Sequence, residues 1–136
     1  MLGMVSSGYP YKGTIGFSDT SYWTLSSYPS YVYNENSKLY SYVENYKTYL
    51  STLGVTPIKA RLISYEELIA LGCNASAVSC TSAPSWVYVT PYWSGSVASS
   101  GNVWYVSNNG DFENYYYQYN YDPGVRPVIV IDKSLL

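Results

Sequence analysis

Histidine is absent from this 136-residue chain, which limits the chemistry that it can perform. Without imidazole there is no Ser–His–Asp triad and no histidine base. Two close carboxylate pairs remain, Glu66 with Glu67 and Asp111 with Glu113. We interpret the first pair as helix capping that complements the helix dipole. The second pair is typical of solvated turn residues. The alternative is that Asp111 and Glu113 are the catalytic carboxylates of a carbohydrate-active enzyme. The sequence therefore predicts that the protein is not an enzyme.

Cys73 and Cys80 are the only cysteines, and the residues between them are mostly small. A loop of this length can close into a local disulfide. A metal site needs more ligands than two cysteines, and the chain has no histidine to supply them. We therefore predict a Cys73–Cys80 disulfide and neither a metal nor a cofactor, with two free structural thiols as the alternative. A disulfide implies an oxidising compartment, which favours an extracellular or cell-surface location.

Polarity in this chain comes from tyrosine, serine and asparagine more than from charge. There are 19 tyrosines against 2 phenylalanines, and only 7 basic and 9 acidic residues. The net charge of −2 argues against nucleic acid as a partner, because phosphate binding needs a clustered basic patch. No apolar run is long enough to insert into a membrane, so any anchor is expected upstream of Met1. Tyrosine and asparagine are instead the residues of adaptable recognition surfaces, which predicts an unidentified protein or glycan ligand.

Two helices are expected in the first half of the chain. Between residues 37 and 53 apolar side chains recur at three- and four-residue spacing, which predicts an amphipathic helix that ends at Gly54. The second helix is predicted to begin with a capping box and to end at Gly72. In this box the Ser64 side chain caps the helix, and the Glu67 side chain bonds back to the Ser64 backbone N–H. A short strand over residues 60–63 precedes it.

The sequence after Cys80 is typical of β-structure. Strands are predicted at 86–90, 102–106 and 112–121, with a hairpin turn at 108–111 between the last two. Residues 126–131 are apolar on both faces, which predicts a buried central strand. The order indicates one α+β domain over residues 1–136, with two helices packed on a small antiparallel sheet.

Arg126 enters this last apolar segment and is predicted to be structural, with a role in ligand binding as the alternative. A buried guanidinium usually pairs with a carboxylate or with backbone carbonyl groups, because an unpaired buried charge is costly. Glu66, Glu67 and Asp132 are the candidate carboxylates.

Five segments together resemble a known family. They are residues 60–68, 85–88, 92–96, 103–106 and 124–129, the last of which begins Gly-Val-Arg-Pro. The chain resembles C-type-lectin-fold domains related to formylglycine-generating-enzyme-like proteins. Within these it is most similar to variable proteins of diversity-generating retroelements from gut Firmicutes and their phages. The resemblance implies a C-type lectin-like fold and a bacterial cell-surface or phage-particle location. Formylglycine-generating catalysis is not implied, because Cys73 and Cys80 lie in the wrong part of the chain.

The resemblance also implies which residues vary. In such proteins adenine-directed randomisation of asparagine codons yields Tyr, Asn, Ser, Asp and Phe, which dominate residues 105–121. Trp104, Glu113 and Gln118 cannot arise from those codons and would be fixed scaffold. A hairpin that is merely rich in tyrosine is the alternative.

The sequence predicts a receptor- or adhesin-like domain that binds its ligand on a shallow aromatic face, which the resemblance implies is hypervariable. The candidate contact residues are Tyr92, Trp93, Tyr105, Ser107, Asn109, Asp111, Phe112, Asn114, Tyr115, Tyr117, Tyr119 and Tyr121. The alternative is a structural or assembly subunit of a pilus-like or phage surface fibre, whose tyrosines pack against neighbouring copies.

Overall fold

The computed structural model of this chain describes residues 35, 38–99, 102–116 and 124–135, and these residues form both helices and strands. Predictions for residues 1–34 and 117–123 lie outside these described residues. The regular elements in chain order are α1 (Lys38–Thr52), β1 (Pro57–Arg61), α2 (Tyr65–Ala70), a 3₁₀ helix (Ser85–Val87), β2 (Tyr92–Ser99), β3 (Asn102–Val106), β4 (Phe112–Tyr116), β5 (Gly124–Val125), β6 (Val128–Ile131) and a final 3₁₀ helix (Lys133–Leu135).

Helix α1 forms and ends as its sequence predicts. Leu39, Val43 and Leu50 are buried on one side of it. Gly54 has a φ of 84°, which L-residues with a side chain rarely adopt. The Gly54 N–H donates to the Ser51 carbonyl at 3.1 Å and the next N–H donates to the Leu50 carbonyl at 3.0 Å, so the helix closes with a Schellman motif.

Helix α2 is short and is fixed at its start. The Ser64 hydroxyl accepts the Glu67 N–H, and the Glu67 carboxylate accepts the Ser64 N–H, which confirms the predicted capping box. The Tyr65 N–H donates to the Ser96 hydroxyl at 2.9 Å. Leu68 of α2 is fully buried. The start of α2 is therefore bound to the middle of β2.

The larger sheet has the strand order β4-β3-β2-β5, and the smaller sheet pairs β1 with β6. Strands β2, β3 and β4 form an antiparallel meander, as expected, whereas β5 runs parallel to β2. In the smaller sheet Arg61 pairs with Val128 and Pro57 with Ile131. Over the described residues the fold is α+β, with two helices and two small sheets.

Both faces of the larger sheet are buried. Trp93 on β2 and Tyr105 on β3 belong to a core cluster that includes α1 residues. Tyr92 and Val106, the neighbours of those residues in sequence, belong to a second cluster that includes the disulfide and Leu68. Because adjacent strand residues point to opposite faces, the sheet is packed on both sides.

Two strand predictions are wrong, and a third strand is present with different bounds. Residues 86–90 form part of a 3₁₀ helix and a turn, between Pro84 and Pro91. Residues 126–131 do not form a central strand, because β6 starts at Val128, pairs only with β1 among the described strands, and is half-exposed. The strand predicted at 60–63 lies earlier, at Pro57–Arg61. The sequence predicted no strand over residues 92–99, where the structure has β2, the longest of the described strands.

Candidate ligand-binding site

The aromatic residues predicted on β2 and at the start of β4 lie in the core. Tyr92 and Phe112 are 0% exposed and Trp93 is 1% exposed. Their placement on a shallow recognition face is therefore wrong. The physical reason is that the sheet is covered on both sides, so neither face of β2 is left to solvent.

Tyr105 is also a core residue, with a polar end that is used inside the protein. It is 7% exposed, and its ring packs 5.6 Å from that of Trp93. Its hydroxyl donates to the Glu113 carboxylate at 3.1 Å across the β3–β4 pair. Trp104 lies on the other face, with its ring 4.7 Å from Tyr65 and 5.0 Å from Phe112. Tyr105 is thus part of the core, which corrects its predicted place on the recognition face.

The turn between β3 and β4 is built around the Ser107 hydroxyl. This oxygen accepts the N–H groups of Asn109 at 3.2 Å and Asp111 at 3.0 Å, and it donates to the Asp111 carboxylate at 3.0 Å. Gly110 has a φ of 86°, as the predicted hairpin turn requires. Ser107 is buried, which corrects its predicted contact role, whereas Asn108 and Asn109 are exposed.

The remaining predicted contacts lie on or after β4. Asn114 is half-buried, and its side-chain oxygen accepts the Asn102 amide at 3.0 Å across the hairpin. The backbone of Tyr115 pairs with Val103. Tyr117, Tyr119 and Tyr121 lie outside the described residues. Of the predicted set, the structure brings Asn109, Asp111 and Asn114 together on one partly exposed hairpin.

The predicted disulfide between Cys73 and Cys80 is present, and it lies under this hairpin. The Cys80 N–H donates to the Gly110 carbonyl at 2.6 Å. A Cβ at Gly110 would lie 3.0 Å from the Thr81 methyl group, so the two loops are in close contact. The disulfide loop therefore positions the turn.

Arg126 is 6% exposed, and its guanidinium lies over two aromatic rings. Its guanidinium carbon lies 5.0 Å from the Tyr92 ring centroid and 6.0 Å from that of Trp86, and it donates to the Val87 carbonyl at 3.3 Å. Burial lowers the pKa of Arg126 and raises the pKa of Tyr92 to about 12, and the attraction between the two groups opposes both shifts.

The prediction that Glu66, Glu67 or Asp132 pairs with Arg126 is wrong, whereas the expected hydrogen bond to a backbone carbonyl is present. Glu67 instead forms a bidentate pair with Arg61, with nitrogen–oxygen distances of 2.7 and 2.6 Å. Within the described ranges no salt bridge reaches Arg126. The contacts of Arg126 within the described ranges are therefore the two aromatic rings and the Val87 carbonyl.

A cleft that the sequence did not indicate opens between α2 and β6. Its volume is about 560 Å³. Trp86, which is 44% exposed, forms one wall. The described residues that line the cleft are Ile63, Glu67, Ala70, Leu71, Trp86, Val128 and Ile129. Trp86 lies in the strand predicted at 86–90, although the flanking prolines, Pro84 and Pro91, are a signal that this segment is not a strand.

Within the part of the chain that the structure describes, no cluster of three or more acidic, cysteine or histidine residues could hold a metal ion. No helix among the same residues has the length and apolar character to span a bilayer. Comparison with protein-family models, with curated proteins and with solved structures finds no match to this chain.

Proposed function

We propose that the chain is a receptor- or adhesin-like ligand-binding domain, whose contacts come from the β3–β4 hairpin and the tyrosine-rich residues after it. The observation that carries this proposal is a division of roles along the hairpin. Tyr105 and Phe112 are buried in the core, while the turn between them exposes Asn108 and Asn109. A rigid scaffold that presents an exposed polar loop is a common arrangement for recognition.

We further propose that the fold is C-type lectin-like and that a retroelement directs sequence variation in and after the hairpin. Two residues that asparagine codons cannot generate support this idea. Trp104 packs against Tyr65 and Phe112, and Glu113 accepts the Tyr105 hydroxyl. Both therefore make scaffold contacts, as fixed positions should. The burial of Tyr105 and Phe112 narrows the proposed variable set to the turn and to the tyrosines from residue 115 onward.

We place the protein outside the cell, at a bacterial surface or on a phage particle. The Cys73–Cys80 disulfide supports this location, since such bonds persist in oxidising compartments. Its position beneath the turn gives the bond a role in recognition, because it restricts the loop that would meet the ligand.

Binding is tested by replacing Tyr117, Tyr119 and Tyr121 together with alanine. The probes are a glycan array and an array of purified bacterial surface proteins. We expect an unchanged melting temperature and the loss of every interaction that the wild-type chain shows. Tyr49→Ala is the matched control, because this half-exposed tyrosine lies on α1 and is not part of the hairpin. A loss of stability in the triple variant would identify these tyrosines as core residues.

Variation is tested in the gene's neighbourhood. We expect a reverse-transcriptase gene and a near-copy of the codons for about residues 92–127 that differs mainly at adenines. A near-copy with differences spread equally over all four bases would contradict the retroelement origin and leave ligand binding to the array experiment.

A structural or assembly subunit is the second candidate function. Exposed apolar side chains on the smaller sheet and after α1 favour it, because such patches often mark interfaces. Ile58 is 59% exposed, Leu53 59%, Val55 37% and Val130 36%. Sedimentation over a hundredfold (about 1 to 100 μM) concentration range separates the two candidates. Self-association that Ile58→Ser abolishes would favour assembly, and a monomer throughout would favour ligand binding.

A further inference from the structure

The cleft between α2 and β6 has the size of a small-molecule site. Its volume of about 560 Å³ lies within the range of roughly 300–1,000 Å³ that is usual for such pockets. It is formed by residues other than those of the β3–β4 hairpin. Any ligand here is therefore bound separately from the one proposed for the hairpin.

The walls of the cleft are apolar and well supported. Ile63, at 4% exposure, is a core residue. Trp86 forms the most exposed wall, and the guanidinium of Arg126 lies 6.0 Å from its ring centroid. A cation at this distance helps to hold the indole in place. A fixed aromatic wall loses little entropy when a second ring packs against it.

Glu67 is the one charged residue among the described residues that line the cleft, and its charge is already matched. Its Oε2 accepts Arg61 Nη1 at 2.7 Å and the Ser64 N–H at 3.0 Å. Its Oε1 accepts Arg61 Nη2 at 2.6 Å. Because a carboxylate oxygen has two lone-pair directions, Oε1 can accept one further hydrogen bond. The pair with Arg61 removes the attraction for a cationic ligand.

We propose that this cleft binds an uncharged aromatic small molecule with a single hydrogen-bond donor, of the phenol or indole class. The ring packs against Trp86, Leu71 and Ile129, and its O–H or N–H donates to the Glu67 carboxylate. A sugar fits less well, because several of its hydroxyl groups would lose water without gaining a partner on these apolar walls.

The test is a titration of the ¹⁵N-labelled full chain with p-cresol, followed by nuclear magnetic resonance. We expect saturable shifts at the Trp86 indole N–H and at the backbone amides of Leu71 and Ile129. Trp86→Ala removes the wall, and Ala70→Phe fills the cleft from an exposed helix position without removing a core residue. Each should weaken p-cresol binding by about tenfold or more, since a buried aromatic contact contributes on this scale.

Val89→Ala is the matched control, because Val89 is 57% exposed and lies in the same segment as Trp86 but does not line the cleft. It should leave the p-cresol affinity unchanged. Methyl β-D-glucoside and benzylamine test the ligand class and should give no saturable shifts. The proposal is overturned if p-cresol gives no saturable shift, if Ala70→Phe binds it as well as wild type, or if either of the other compounds binds more tightly. None of these outcomes depends on the hairpin, so they do not decide its proposed function.

Discussion

The backbone N–H of Cys80 donates a 2.6 Å hydrogen bond to the carbonyl oxygen of Gly110, which joins the disulfide loop to the turn of the β3–β4 hairpin. Both partners are buried, so water does not compete for this bond. The turn that we assign to ligand contact is thereby fixed by a covalently closed loop. Its conformation depends on the disulfide as well as on its own sequence.

Removing the disulfide should therefore affect both stability and the turn. We expect Cys73→Ser with Cys80→Ser to lower the free energy of unfolding by about 2–3 kcal/mol, because an eight-residue closed loop restricts the unfolded chain by roughly this amount. Urea unfolding measures the loss, and amide exchange at position 80 should become faster. Reduction of the wild-type chain must reproduce both effects. Equal stability with and without reductant would contradict the role that we assign to this bond.

Val78, inside the same loop, has a φ of 51°, which is unfavourable for a β-branched residue. Its side chain is 43% exposed, so little packing is lost on substitution. We expect Val78→Asn to raise the free energy of unfolding by about 0.5–1 kcal/mol, because asparagine tolerates left-handed backbone. Chemical denaturation provides the measurement. Val89→Asn, at an exposed site without positive φ, should give no gain, and an equal gain there would point to a general effect of polarity.

The assignment of Phe112 on β4 to the core is tested by two substitutions. Phe112→Ala should lower the free energy of unfolding by about 3–5 kcal/mol, as is usual for a buried aromatic residue. Asn109→Ala, in the exposed turn, should change it by less than about 0.5 kcal/mol. Thermal and urea unfolding compare the two variants. Comparable effects would mean that the division between scaffold and exposed turn is wrong.

Features fixed by local sequence could be predicted, and the structure confirms them. The capping box of Ser64 and Glu67 needs only neighbouring residues, as does the stop at Gly54. The turn at Gly110 follows from the Asn-Gly pair. The Cys73–Cys80 bond follows from a short spacing of small residues. In each case the interacting groups lie within a few residues of one another.

Features that depend on distant packing could not be predicted. Strand β2 contains Ser94 and Ser96, which are buried although their sequence is typical of a loop. Ser96 is buried because its hydroxyl accepts the N–H of Tyr65 at the start of α2. The apolar run after Arg126 fits a central strand or an outer one equally well, and only its pairing with β1 decides between them. The cleft at Trp86 joins elements far apart in sequence and has no sequence signal of its own.

The ion pair between Glu67 and Arg61 makes the fold sensitive to acid. The hydrogen bonds from Arg61 hold the pKa of Glu67 below its usual value of 4.5, against a smaller opposing effect of burial. A carboxylate with a lowered folded-state pKa stabilises the fold above its unfolded pKa, and this contribution is lost as the pH falls through the folded value. We expect Glu67→Gln to be less stable than wild type at pH 7, with the difference shrinking below about pH 4.5.

Urea unfolding at a series of pH values between 7 and 3 provides this measurement. Glu66→Gln is the matched control, because Glu66 is exposed on the same helix beside Glu67. It should keep the acid sensitivity of the wild-type chain. A constant difference between Glu67→Gln and wild type across the whole range would show that the charge of Glu67 does not cause the acid sensitivity.

The environment of Arg126 predicts which of two substitutions, Arg126→Lys or Arg126→Met, lowers the free energy of unfolding more. The guanidinium carbon lies 5.0 Å from the Tyr92 ring centroid, and the guanidinium donates to the Val87 carbonyl at 3.3 Å. Lysine keeps the buried charge but loses the contact of the guanidinium with the ring, so Arg126→Lys should lower the free energy of unfolding by about 2 kcal/mol. Methionine fills the same space without a charge to bury. Because the described residues supply no carboxylate that its removal would leave unpaired, we expect Arg126→Met to be closer to wild type than Arg126→Lys.

Urea unfolding of both Arg126 variants at pH 7 gives the ordering. Lys59→Met removes an exposed cation from β1 and should change the free energy of unfolding by less than about 0.5 kcal/mol. If Arg126→Met is the less stable of the two, the buried positive charge itself is needed, and an anionic partner must balance it. If lysine costs more, a buried charge is tolerated at this position only in the form of the guanidinium, which lies over the Tyr92 and Trp86 rings.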